Sequence, residues 1–79
     1  MRDIIQNFLN INKEFIPLQV QPLIIYQEIL KDFGYEADDN DDTTNGWQVD
    51  FWYGFINKEG NKLQLRGSLW HGKYQLCKI

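Results

Sequence analysis

Apolar positions recur at three- and four-residue steps as far as Phe33, and from Trp47 onward they alternate with polar ones. The first regime predicts two helices. Ile4, Ile5, Phe8, Leu9, Ile11, Phe15 and Ile16 share one broad apolar face, giving a helix over about 3–15 with Asp3 as its N-cap. Pro17 is expected to stop it, because proline disfavours the helical conformation of the residue before it. Leu23, Ile24, Tyr26, Ile29, Leu30 and Phe33 give a second helix over about 22–33, with Pro22 in its first turn. Gly34 should end that helix in the left-handed conformation, with Tyr35 folding back onto the last turn. The short link between the helices implies an antiparallel pair.

The second regime predicts strands. Trp47, Val49, Phe51, Tyr53 and Phe55 occupy odd positions, as do Leu63, Leu65, Gly67 and Leu69, whereas Tyr74 and Leu76 are even. A common buried face therefore requires an odd loop between the first two strands and an even loop before the third. Lys58-Glu59-Gly60 meets the first condition with Gly60 left-handed, and sets Phe55 opposite Leu63 and Trp52 opposite Arg66. His71-Gly72 as a two-residue turn meets the second, and sets Gly67 opposite Leu76 and Arg66 opposite Cys77. The expected fold class is α+β: two N-terminal helices packed on one face of a three-stranded antiparallel β-meander (ααβββ). Its strands span about 47–57, 62–70 and 73–79, within a single domain covering 1–79. Residues 36–46 hold five acids, no base and no periodicity, and read as a solvated acidic loop.

Composition narrows the chemistry. A chain of 79 residues has room for one core, and buries roughly 60–65% of its unfolded surface. The single Cys77 forms no internal disulfide, and with His71 as the only histidine no four-ligand zinc site can be assembled. Five Phe, four Tyr and three Trp supply the burial instead. The lone thiol, the polar-interrupted N-terminus and the lack of a span of about 20 apolar residues lead to a cytoplasmic, membrane-free expectation. No cofactor, metal or small-molecule substrate is expected.

The even side of the sheet is left open by this register. It collects Trp52, Arg66, Trp70, Asp50 and Lys73, with Trp52 and Arg66 directly opposed. Trp and Arg are enriched at interface hot spots, so the leading expectation is a non-enzymatic protein-binding domain acting as adaptor, regulator or inhibitor. Its partner is a protein, and a second copy of the chain is one form of it, since 73–79 reads as an edge strand. The first alternative uses Asp38, Asp39, Asp41 and Asp42 as a row of carboxylates mimicking nucleic acid, the device of some small phage inhibitors. The second has Trp52, Trp70, Arg66, Lys73 and Lys78 stacking and gripping single-stranded RNA, against which the net charge of −3 counts. An EF-hand alignment of Asp41, Thr43, Asn45 and Gly46 fails, because Trp52 falls where the loop needs a bidentate Glu. No catalytic dyad follows either: His71 belongs to a turn and lies far from Cys77 along the strand, so an enzyme is not expected.

Overall fold

The structure, a computed structural model, describes residues 1–45, 50–68 and 72–79, with the backbone alone over 40–45 and at 50. The order of elements is α1 (Arg2–Asn10), β1 (Phe15–Leu18), α2 (Leu23–Asp32), β2 (Glu36–Asn45), β3 (Asp50–Ile56), β4 (Lys62–Ser68) and β5 (Lys73–Lys78). All five strands join one antiparallel sheet in the order β1-β5-β4-β3-β2. The class is α+β with two helices as expected, but the three-stranded meander is wrong: it is the middle of a five-stranded sheet. Consequently β5 is an interior strand, and pairing with a twin along it is closed.

The first added strand comes from what reads as the tail of the first helix. Helix α1 ends at Asn10, whose side chain donates to the Gln6 carbonyl at 3.0 Å, and Ile11 is already extended at φ −111° and ψ 160°. Asn side chains compete in this way with the backbone and favour helix ends. Asp3 lies in the first turn rather than at the cap, where its carboxylate still suits the helix dipole. Phe15–Leu18 then pairs with β5, burying Ile16 and Leu18 while Phe15 stays half exposed. The Lys78 amide donates to the Glu14 carbonyl at 2.8 Å. Alternation along an antiparallel pair then turns the nitrogen of Pro17 away from β5, towards the open edge. Proline is tolerated at such a position and removes a donor from it.

The second added strand is the segment expected to be an acidic loop. Glu36, Ala37 and Asp38 pair with Ile56, Phe55 and Gly54; Asp42 to Asn45 pair with Tyr53 to Asp50, and the register shifts between Asp38 and Asp42. Composition concealed this strand because Asp and Asn have low strand propensity and because an edge strand need not alternate. The ladder offered by β3 outweighs that propensity. Charge and a bulge on an edge strand also keep other chains from adding to it.

One face of the sheet carries the core. Ile16, Leu18, Phe55, Leu63, Leu65, Tyr74 and Leu76 meet Ile5 and Phe8 of α1 and Tyr26, Ile29 and Leu30 of α2. The buried Tyr26 hydroxyl donates to the Gln19 carbonyl, so its polar end is satisfied. Helix α2 ends as its sequence predicts: Gly34 has φ +90°, its amide donates to Lys31, and the Tyr35 amide donates to the Leu30 carbonyl at 2.9 Å. Arg2 Nη1 donates to Asp32 Oδ2 at 2.6 Å, placing the start of α1 against the end of α2.

The two hairpins differ in how they meet expectation. The 58–60 loop is as read: Gly60 has φ +86°, the Asn57 amide donates to the Asn61 carbonyl, and Asn57 Oδ1 accepts from the Glu59 and Asn61 amides at 3.0 and 2.9 Å. Phe55 pairs with Leu63 and Trp52 with Arg66. The second hairpin has another register than read: Ser68 pairs with Lys73, Gly67 with Tyr74 and Leu65 with Leu76, while His71 of the turn expected there lies outside the described residues. Parity is blind to a displacement of two, so the faces survive while the register moves.

Candidate binding face

The side of the sheet away from the helices is built by the same alternation. Register lines up Pro17, Gln75, Arg66, Trp52 and Thr43 in one row across the five strands. A second row is Phe15, Cys77, Gln64, Gly54 and Asp38, and a third is Lys73, Ser68, Asp50 and Asn45. Trp52 is 40% exposed on this face. Arg66 Nε donates to Gln64 Oε1 at 2.8 Å, two residues along the same strand and on the same side.

An open groove of about 800 Å³ is lined by Trp52, Gln64, Arg66, Ser68, Lys73 and Gln75 together with Phe51 and Gly67. Six of the eight stand at outer-face positions of β3, β4 or β5, and the pair Phe51–Gly67 alternates with them. That volume lies within the usual range of ligand sites. Its chemistry is one indole, one phenyl ring, two basic side chains, two amides and a hydroxyl, with no carboxylate among the described lining residues.

Of the five patch residues expected from sequence, Trp52, Arg66 and Lys73 are brought together in the groove. Asp50 stands beside Ser68 by backbone register. Trp70, like Trp47 and His71, lies outside the described residues. The two-residue shift places Gln75 beside Arg66, where Cys77 was expected, and moves Lys73 from the Trp70 row into the Ser68 row. Lys78 is not on this face. It pairs with Leu63, stands 4.6 Å from the Phe8 ring centroid and donates to the Ile11 carbonyl on the helix side. Gln64 was missed, although its even parity places it with Arg66, and Gln75, expected on this face in the Ser68 row, stands instead in the Arg66 row.

The acidic candidates divide. Asp38 belongs to the outer-face row, its side chain only 12% exposed, with Lys62 Nζ 3.9 Å from its Oδ2. Asp39 is exposed within the bulge, and the side chains of Asp41 and Asp42 lie outside the description. No described group of three or more His, Cys, Asp or Glu could hold a metal ion.

Cys77 is buried although it stands on the outer face. Burial pushes its thiol up, and the nearby Arg66 charge offsets this only in part. A raised pKa means less thiolate at any given pH, and thiolate is the reactive form. Native protein in mildly alkaline buffer should therefore be alkylated by iodoacetamide at least about tenfold more slowly than unfolded protein, as read by mass spectrometry. Equal rates would contradict the burial of Cys77.

Comparisons with protein-family models, with curated proteins and with solved structures return no match to this chain. No helix among the described residues is long and apolar enough to cross a membrane.

Proposed function

We propose that this chain is a small non-enzymatic protein-binding domain, an adaptor, regulator or inhibitor, that takes its partner on the outer face of the sheet. The observation that carries this reading is Trp52, left 40% exposed beside Arg66 in the groove opposite the helices. Tryptophan and arginine supply the largest truncation effects at protein interfaces, and a half-exposed indole in a polar-rimmed hollow is where such an anchor binds. The edges support the same choice. Pro17 takes a donor from the β1 edge, while acids and a bulge guard β2, so a partner has the face rather than an edge to use.

Selection from a random-peptide display library tests the reading. The wild-type chain should enrich a consensus, and Trp52→Ala, at an exposed position, should fold normally by circular dichroism yet fail to enrich it. A library that yields no consensus on the wild type would overturn peptide recognition. A consensus enriched equally by Trp52→Ala would overturn this site.

A further inference from the structure

We infer that the groove recognises an extended peptide segment carrying two acidic side chains separated by one residue; this rests on the protein-binding reading above. Arg66 and Lys73 supply the charge. Arg66 pairs with Gln75 and Ser68 with Lys73, so the two cations are diagonal neighbours on adjacent strands. Diagonal positions of an antiparallel pair lie about 7–8 Å apart. In an extended chain, residues i and i+2 project to the same side at about 6.4–6.8 Å. The spacing of the cations thus matches that of alternate side chains on a bound strand, and not that of adjacent ones, which point to opposite sides.

The remaining groups fit the same ligand. Gln64 takes the Nε–H of Arg66, which steadies the guanidinium and turns its two Nη groups to the task of gripping a carboxylate side by side. Ser68 and Gln75 carry donors and acceptors suited to a peptide main chain, and Trp52, directly across from Arg66, offers a flat apolar surface to a neighbouring side chain. A nucleic-acid strand fits less well. It presents a continuous run of phosphates, whereas the groove's described lining holds only Arg66 and Lys73 as basic residues and Lys78 is turned to the helix side.

Fluorescence anisotropy with synthetic peptides tests this. The probe is a fluorescein-labelled Asp-Ser-Asp-Ser-Phe peptide, with Asp-Asp-Ser-Ser-Phe as the control of equal charge. The alternating peptide should bind at least about fivefold more tightly than the control, with the preference shrinking as salt is raised. Arg66→Gln and Lys73→Gln, both at exposed positions, should each weaken it by about threefold to tenfold. The double variant Arg66→Glu, Lys73→Glu should lose it and prefer Lys-Ser-Lys-Ser-Phe instead. Equal affinity for the two acidic peptides overturns the inference, as does a display consensus without acids, and both outcomes leave the site itself standing. Binding of oligothymidylate more tightly than either peptide would assign the groove to nucleic acid. Self-association by sedimentation that disappears in Arg66→Gln would assign it to a second copy of the chain. Failure of every peptide in every format would instead sink the protein-binding reading.

Discussion

Gly67→Ala should destabilise the domain by about 1–3 kcal/mol, the usual range for overpacking. An ideal Cβ at this position would sit 2.2 Å from Phe51 Cζ and 2.5 Å from Phe51 Cε1. Gly67 pairs with Phe51 on one side and Tyr74 on the other, and the Phe51 ring lies over it. Withdrawal of the ring would disturb its contacts with Tyr74, which meets it edge-on with centroids 5.3 Å apart, and with Tyr53 at 5.3 Å. Backbone freedom is not the reason for this glycine, because its φ is not in the left-handed region that marks Gly34, Gly60 and Gly72. The sign is therefore diagnostic. Elsewhere Gly→Ala at a compatible position stabilises by about 0.4–1 kcal/mol. Thermal denaturation should show a fall of about 4–8 °C per kcal/mol, partly restored by adding Phe51→Leu. A melting point at or above that of the wild type would remove the Phe51–Gly67 contact from the account.

Leu76→Ala should be more damaging, at about 2–5 kcal/mol. Leu76 is fully buried, and its cross-strand neighbours are Ile16 of β1 and Leu65 of β4. A domain of this size has only a few kcal/mol in reserve, so the variant should be largely unfolded at room temperature. Gln75→Ala, one residue away on the outer face, should shift the urea midpoint by no more than about 0.5 kcal/mol in equivalent stability. The contrast tests the interior position of β5. An edge strand at the chain end would lose far less on truncation of Leu76.

What the residues disclose unaided follows from the physics of each segment. The face assignment from Phe51 to Leu76 was legible because the strand period is two, and a one-residue slip would put every apolar side chain in water. The first hairpin was legible in full, since Gly60 and the two asparagines around it specify one turn. The second was not: a register displaced by two satisfies parity as well as the expected one, and that displacement exchanges Gln75 for Cys77 beside Arg66. Phe15–Leu18 was hidden because four residues contain only two inward positions, Ile16 and Leu18, and Phe15 and Ile16 also fit the helical spacing that precedes them. Glu36–Asn45 was hidden because an edge strand gains from charges that ordinary strand propensity forbids. Both omissions concern partners of strands already identified. The groove survives them because Trp52 and Arg66 are held by the one turn that the residues specify completely.

The most direct measurement is a two-dimensional amide and indole NMR titration with the peptide consensus enriched from the library. Shifts should concentrate at the Trp52 indole and at the amides of Arg66, Ser68, Lys73 and Gln75. The exposed Ile4, Ile24 and Ile25 of the helices should remain unmoved. Shifts confined to those helical residues, with the Trp52 indole unchanged, would place binding on the opposite side and contradict the role assigned to the outer face.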